Sequence, residues 1–187
     1  MLPDPTALKQ VVDFLVEHEI PYMVIGGLAN SIWGEARFTR DADLKVSIGD
    51  RPLEDFRALV HQTFAERETG IPTHRQSAHI LHIWARPGVP VDLFVSIFDY
   101  ERRAVQRALE INVGGVAVRV CTAEDLIIHK VVAGRPHDWL DVGQVLIRQR
   151  GKLDQTYITN WLSQFSAALE APEMAARYRE LRKRSDP

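Results

Sequence analysis

The chain has 187 residues, of which 45% are hydrophobic, 26% charged and 8% aromatic, a composition that is ordinary for a globular protein of one domain, with or without a helical extension. Its 23 basic and 25 acidic side chains give a net charge of -2, which argues against a protein that coats nucleic acid through a broad positive field. The single cysteine excludes an internal disulfide framework, and no apolar stretch is long enough for a membrane span, so we expect a cytoplasmic protein without a membrane partner.

The N-terminal two thirds of the chain alternates between the apolar spacing of helices and that of strands. Asp4 is the expected cap of the first helix, and the glycine pair 26–27 ends the first strand in a tight turn. Strand-like runs over 79–85 and 89–97 flank a Pro-Gly turn at 86–88, which predicts a hairpin. The other elements expected are helices over 5–15, 28–33, 52–64 and 100–109, and strands over 22–25, 41–48 and 116–120.

The pattern becomes helical after residue 120. Thr122 is the expected cap of one helix, and Asp138 is the expected cap of the next. Because mixed strands and helices come first and helices follow, we expect an α+β fold. We place a mixed-sheet core with flanking helices over 1–120 and a C-terminal helical subdomain, packed on that core, over 121–187.

Most of the chemical information lies within residues 25–44. Glycines 26 and 27 end a buried strand, so their N–H groups can approach a ligand closely, and a helix that starts there suits a phosphate. Asp41 and Asp43 are two apart in a strand and therefore project from one face. Two aligned carboxylates are costly without a cation between them, and oxygen ligands suit Mg²⁺ or Mn²⁺. Taken alone, the glycines are equally compatible with a plain turn, and the aspartates with a solvated strand face.

A third carboxylate changes that balance. Asp92 lies inside the otherwise apolar run 89–95, where it is either the exposed residue of an edge strand or a ligand on a central one. The combination of three carboxylates with a phosphate-binding turn is much less expected by chance than any one of these features alone. The histidines do not extend this pattern, because His79 and His82 are three apart in a strand and point to opposite faces, so we expect no zinc site.

The run Ile25-Gly26-Gly27, thirteen further residues, Asp41-Ala42-Asp43-Leu44 and the later Val91-Asp92-Leu93 resemble the signature of the nucleotidyltransferase-fold superfamily, the DNA polymerase β-like group. Within it, residues 26–29, 37–44, 124–130 and 135–142 resemble the small bacterial AbiEii-type branch. The resemblance covers most of residues 20–146. Lys45 is a departure, because it adds a positive charge that shares the face of the acidic pair and partly neutralises it.

This resemblance implies in-line transfer of a nucleoside monophosphate from a nucleoside triphosphate to an acceptor hydroxyl, with two Mg²⁺ (or Mn²⁺) ions. It implies that the catalytic and metal-holding residues are Asp41, Asp43 and Asp92. The turn at Gly26 and Gly27 would hold the β and γ phosphates. The further nucleotide-binding residues expected are Ser31, Arg37, Thr39 and Lys130.

Several of these supporting residues allow a second interpretation. Arg37 and Thr39 either contact phosphate or fix the loop, or they are a surface arginine and a β-favouring threonine. Lys130 reaches the triphosphate by resemblance, or it is a solvated helix lysine. Asp138 and Asp141 lie near a helix N-terminus, where they favour the helix dipole or orient Lys130.

The leading hypothesis is a metal-dependent nucleotidyltransferase whose acceptor is an RNA end such as that of tRNA, or a protein. By resemblance to AbiEii-type proteins it would be the toxin of a bacterial toxin–antitoxin pair, with an antitoxin protein as partner. One alternative is a non-catalytic nucleotide-binding or protein-interaction module on the same fold. A third hypothesis is a nucleotidyltransferase that modifies an antibiotic, which requires a wide and acidic acceptor pocket.

Overall fold

The computed structural model of the chain describes residues 4–36, 39, 41–69 and 78–185. The helices are α1 (Pro5–Glu17), α2 (Gly26–Trp33), α3 (Leu53–His61), α4 (Asp99–Arg107), α5 (Ala123–Ala133), α6 (Pro136–Arg148), α7 (Gln155–Ala168) and α8 (Pro172–Ser185). The strands are β1 (Tyr22–Ile25), β2 (Ala42–Val46), β3 (Ala65–Glu66), β4 (Ile80–Arg86), β5 (Val89–Val95), β6 (Leu109–Val113) and β7 (Val116–Val120). Within the described ranges the strands form one mixed sheet in the order β3-β4-β5-β2-β1-β7-β6. The predicted α+β class, with a mixed sheet and flanking helices, is confirmed.

The chain divides into two compact units. The first comprises Met1–Leu28 and Phe38–Cys121 and contains the whole sheet. The second comprises Ala29–Arg37 and Thr122–Pro187 and contains helices α5 to α8. Helix α2 begins in the first unit and ends in the second.

In the first unit, strands β4 and β5 alternate between buried and half-exposed residues, and β2 carries the half-exposed Asp43 between buried apolar neighbours, as its alternation of polar and apolar residues predicted. Strand β2 runs antiparallel to β1 and parallel to β5, and β5 forms a hairpin with β4. Gly88 makes the hairpin turn with φ +80°, a conformation that favours glycine. The buried face carries the apolar residues of each strand, which are Ala42, Leu44, Val46, Leu81, Ile83, Val91, Leu93 and Val95. The polar residues of β2 and β5 are therefore left on the opposite face.

In the second unit, helix α5 forms because Thr122 accepts a hydrogen bond from the N–H of Asp125 (3.1 Å) and Gly134 closes the helix with φ +65°. Asp154 caps α7 in the same way through the N–H of Tyr157. The buried core of the unit includes Leu126, Ile127, Val142, Val145, Ile158 and Leu162. Among the described residues, none of the helices combines the length and the apolar character that crossing a membrane would require.

Three local expectations were wrong in detail. Helix α2 begins at Gly26 rather than after the glycine pair, so both glycines belong to its first turn. Leu109 begins strand β6 instead of ending α4. Helix α6 begins at Pro136, so Asp138 lies inside its first turn and does not cap it. Proline fits the first helical turn because the N–H that it lacks would have no helical partner there.

Candidate active site

A row of polar side chains crosses four adjacent chain segments on the half-exposed face of the sheet. Asp43 on β2 is in register with Asp92 on β5, and Asp92 is in register with His82 on β4. Arg67 directly follows β3, and its N–H donates to the carbonyl oxygen of His82 over 2.8 Å, which continues the pairing. Adjacent strands lie about 4.8 Å apart. The order across the sheet is therefore Arg67, His82, Asp92 and Asp43.

Asp41 lies immediately before β2, two residues from Asp43, and is half-buried. Its carbonyl oxygen accepts a hydrogen bond from the Thr39 hydroxyl over 3.0 Å, so Thr39 fixes the backbone that leads into the strand. The period of two in a strand then puts Asp41 and Asp43 on the same side. Arg37, the other residue expected in this loop, lies outside the described residues.

The first turn of α2 packs directly against this acidic pair. Gly26 has φ +63°, and a Cβ added there would lie 1.9 Å from Oδ2 of Asp43. A Cβ on Gly27 would lie 2.9 Å from the hydroxyl oxygen of Thr39. Real Cβ atoms do not approach other atoms this closely, so only glycine leaves room at position 26 without displacing the carboxylate. The N-terminal turn of α2, which can bind a phosphate, therefore lies directly beside the Asp43 carboxylate, which can bind the cation that accompanies a phosphate.

We expect Gly26→Ala to be far more damaging to ligand binding than a matched change at Gly49. Both glycines have similar positive φ values (+63° and +59°), so an alanine costs roughly 1–2 kcal/mol of backbone strain at either site. A Cβ at Gly49 meets nothing within 4 Å, whereas at Gly26 it displaces Asp43. The measurement is the rise in melting temperature caused by Mg²⁺ and a nucleoside triphosphate. It should disappear in Gly26→Ala and persist in Gly49→Ala; equal rises in both would show that the close approach has no role in binding.

Asp92 is held by two basic side chains. The guanidinium of Arg67 forms an ion pair with Oδ1 of Asp92, and Nδ1 of His82 lies 2.9 Å from the same oxygen. All three side chains are largely buried, with 14–17% of their surface exposed. The carboxylate group is therefore directed toward β4 and β3. Over the described part of the chain, no three or more His, Cys, Asp or Glu side chains converge on one point as a metal site.

The side chains nevertheless fit a divalent cation in their chemistry. Asp41, Asp43 and Asp92 supply carboxylate oxygens on one face of adjacent strands, which is the donor type that Mg²⁺ and Mn²⁺ prefer. The room next to Asp43 is kept open by the missing Cβ of Gly26. Asp92 would exchange its ion pair with Arg67 for the cation.

Lys45 shares the strand face of the acidic pair but is already neutralised. Its ammonium group forms a largely buried ion pair with Glu101 of α4. Burial raises the pKa of the Glu101 carboxyl, but the charge and hydrogen bond of Lys45, together with hydrogen bonds from the backbone N–H groups of Ile97 and Phe98, outweigh burial and leave that pKa below its ordinary value. The expectation that Lys45 neutralises Asp41 and Asp43 therefore has no support in the structure, because its partner is Glu101.

Lys130 belongs to the second unit, where it is buried between two carboxylates. Its Nζ donates to Asp141 over 2.5 Å and to Asp138 over 3.2 Å, and the side chain is only 6% exposed. The interpretation of Lys130 as a solvated lysine was wrong, and the alternative in which the two aspartates orient it is the observed arrangement. Ser31, in the part of α2 that belongs to this unit, is half-buried. The roles of Lys130 and Ser31 toward a nucleotide stay predictions.

Arg67 and His82 were missed from the sequence. The predicted hairpin brings β4 beside Asp92, but the sequence did not show that His82, rather than a neighbouring residue of β4, lies opposite Asp92. Arg67 gave no signal, since it lies beyond a strand of two residues that the sequence pattern did not reveal.

The chain belongs to a family of nucleotidyl transferases described as "Nucleotidyl transferase of unknown function (DUF2204)", whose model matches residues 5–180. No curated protein matches the chain. It is similar in structure to an antigenic nucleotidyltransferase-like protein from Paracoccidioides brasiliensis, with 19% identity, 92% of this chain and 90% of that chain covered, and a TM-score of 0.52. It is also similar to ANT(2")-Ia in complex with adenylyl-2"-tobramycin, with 16% identity, 94% and 96% coverage and a TM-score of 0.51. These likenesses establish the nucleotidyltransferase fold; the AbiEii-type resemblance stays a prediction.

Proposed function

We propose that the chain is a metal-dependent nucleotidyltransferase that moves a nucleoside monophosphate from a nucleoside triphosphate to an acceptor hydroxyl. One observation supports this most directly, which is the placement of Asp43 between the first turn of α2 and Asp92. A phosphate site and two adjacent carboxylates in this order are what an in-line displacement at phosphorus requires.

Each residue then has a distinct task. The backbone N–H groups at Gly26 and Gly27 hold the outer phosphates, since they begin a helix and lack side chains. Asp41, Asp43 and Asp92 would hold Mg²⁺ or Mn²⁺, which when bound would supply charge neutralisation for the triphosphate and a lower pKa for the acceptor hydroxyl. A carboxylate oxygen of Asp92 takes the hydroxyl proton. The acceptor oxygen bonds to the α phosphorus, the bond from that phosphorus to the bridging oxygen breaks, and pyrophosphate leaves.

Membership of the family does not identify the acceptor, the biological role or the location of the protein. The acceptor as an RNA end or a protein, the role as a toxin with an antitoxin partner, and the cytoplasmic location are proposals from the AbiEii-type resemblance. Modification of an antibiotic is supported only by the similarity in fold to a protein whose complex contains adenylyl-2"-tobramycin. A shared fold by itself does not carry a substrate from one protein to another.

The non-catalytic alternative has one specific observation in its favour. Asp92, the residue that would take the proton, forms an ion pair with Arg67 and lies 2.9 Å from Nδ1 of His82, so the guanidinium already compensates its charge. In a binding module the ion pair of Asp92 with Arg67 would be permanent and structural. In the enzyme, Asp92 would hold the cation in place of its ion pair with Arg67.

A thermal-shift panel followed by a transfer assay decides between the two. Each of the four nucleoside triphosphates is added with and without Mg²⁺ to the wild type and to Asp41→Asn. A ligand at 100 times its dissociation constant adds about 2.7 kcal/mol of stability, which is readily measured as a rise in melting temperature. We expect Mg²⁺ and nucleotide to raise the melting temperature of the wild type but not that of Asp41→Asn. In the transfer assay, which uses a nucleoside triphosphate labelled at the α phosphate and cell extract as the source of acceptor, we expect the label in a product. A rise in melting temperature without transfer of label to any component of a cell extract would favour the binding module. If no nucleotide raises the melting temperature, the proposed nucleotide site is overturned.

A further inference from the structure

Beside Asp92, on the side away from Asp43, the sheet carries a group of basic and aromatic residues. Arg67 and His82 occupy the next two places in the row that contains Asp92. The guanidinium of Arg67 lies 5.9 Å from the centre of the Trp84 ring, and Trp84 is half-buried on the same strand face as His82. These three residues, Arg67, His82 and Trp84, are called the β4 cluster below.

The order of strands assigns this cluster to one side of the reaction. In the proposed function the outer phosphates lie at Gly26, and Asp43 follows on the neighbouring strand. Asp92 comes next, and it faces the attacking oxygen. The position beyond Asp92, which belongs to the β4 cluster, is therefore on the acceptor side.

Arg67 has donor capacity that its present partners do not use. One terminal nitrogen pairs with Asp92 and lies 3.4 Å from Nδ1 of His82. Its Nε is buried and donates to no acceptor within the described ranges of the chain. A buried donor without a partner is costly, and an oxyanion is the group that a guanidinium binds most effectively. Binding of a cation to Asp92 would further release the guanidinium from its carboxylate.

We propose that the β4 cluster is the acceptor subsite and that it takes an acceptor whose hydroxyl lies close to a phosphate, with a planar ring that stacks on Trp84. This inference rests on the proposed function. A nucleoside phosphate has this chemistry, whether free or at the end of a nucleic acid strand. An arginine beside an indole ring binds phosphate and base together. A polycationic aminoglycoside is disfavoured, because Arg67 would repel it.

The test compares a charged and a neutral acceptor with the donor site already filled. The probe is a fluorescein-labelled RNA tetranucleotide with a free 3′-hydroxyl, added with Mg²⁺ and a non-transferable ATP analogue. The matched probe has a neutral methylphosphonate in place of the last phosphodiester. We expect the wild type to bind the charged probe at least about tenfold more tightly, since a hydrogen-bonded charge pair contributes on this scale. Competition by uridine monophosphate, against uridine, distinguishes a free nucleotide from a strand end.

The variants separate acceptor binding from a structural role. Arg67→Gln should remove the difference between the charged and neutral probes, whereas Arg67→Lys should retain part of it. Trp84→Ala should weaken the binding of both probes to the same extent. Arg86→Gln is the matched control for Arg67→Gln, because Arg86 lies at the end of β4, the strand of His82 and Trp84, and its side chain is 45% exposed. If Arg67 only orients Asp92, Arg67→Gln will leave the preference for the charged probe unchanged, which would overturn the inference.

Three further outcomes keep the inference apart from the proposed function. If the wild type shows the Mg²⁺-dependent nucleotide shift but binds both probes equally, or binds tobramycin in preference, the acceptor subsite is wrong and the nucleotide site stands. If label is transferred only to protein, the inference about a phosphate-bearing acceptor is likewise overturned. If the nucleotide shift itself is absent, the proposed function fails first.

Discussion

Asp43→Asn is expected to lower the rate of nucleotidyl transfer by roughly 10²–10³-fold, the usual effect of removing one electrostatic contact to a transition state. Asp43 lies against the first turn of α2 and is in register with Asp92. Asparagine has the same shape, so the packing around Gly26 is preserved while the charge that would hold a cation is lost. The Mg²⁺-dependent rise in melting temperature with nucleotide should be lost as well.

The companion variant Asp92→Asn should behave differently. In the proposed function Asp92 lies on the acceptor side, so the nucleotide-dependent rise in melting temperature should persist while transfer is lost. Asp99→Asn serves as the control for both, because Asp99 begins α4 in the same unit and its side chain is 84% exposed. Transfer at the wild-type rate by Asp43→Asn would remove the metal assignment, and transfer at that rate by Asp92→Asn would remove its role as the proton acceptor.

Local pattern was sufficient to predict the part of the site that is close in sequence. The glycine pair follows a buried strand, and the strand period aligns Asp41 with Asp43, so both features depend on neighbouring residues. The turn at Gly88 likewise predicted the hairpin of β4 and β5. The same local pattern could not show that β2 pairs in parallel with β5, because the register of distant strands is set by tertiary packing.

The partner of Asp92 depends on a register shift that no turn signal reveals. A regular two-residue turn pairs Arg86 with Val89, and continuing that register would put Ile83 opposite Asp92. The structure has an irregularity between Trp84 and Arg86 that moves the pairing by one residue, so His82 lies opposite Asp92 instead. Such bulges redirect side chains, and a shift of one residue exchanges the two faces of a strand. The contact between His82 and Asp92 was therefore invisible to sequence reasoning.

Burial was the other property that the sequence could not give. Lys130 lies on α5, a helix whose apolar residues are not confined to one face, as is typical of a buried helix. This pattern does not show which polar residues are buried together with Lys130. Asp138, Asp141 and Asn30 come from α6 and from α2, and they enclose the ammonium group together. Residues 30 and 141 are brought together only by tertiary structure.

Lys130→Met should destabilise the second unit by about 3–5 kcal/mol, the usual cost of removing one partner of a buried ion pair. The side chains of Asp138 and Asp141 are 0% and 7% exposed, so water cannot replace the lost ammonium group. Asp138 keeps the hydrogen bond from Nε of Arg135 (2.6 Å), whereas Asp141 keeps the weaker contact with the amide of Asn30 (3.3 Å). Denaturant unfolding at neutral pH measures the loss. Lys152→Met, at an exposed position in the same unit, is the control.

The pH dependence of this loss identifies its cause. Burial raises the pKa of the Asp138 carboxyl, but hydrogen bonds and charge from Arg135 and Lys130 outweigh it and hold that pKa below its ordinary value. In the wild type this contribution to stability is therefore present above about pH 4 and is lost as the pH falls further. In Lys130→Met, protonation of Asp138 relieves part of the cost of the lost ammonium group, so the deficit should be smaller near about pH 4 than at neutral pH. Lys130→Met/Asp141→Asn should recover part of it; a deficit that is independent of pH would instead indicate lost packing of the lysine stem.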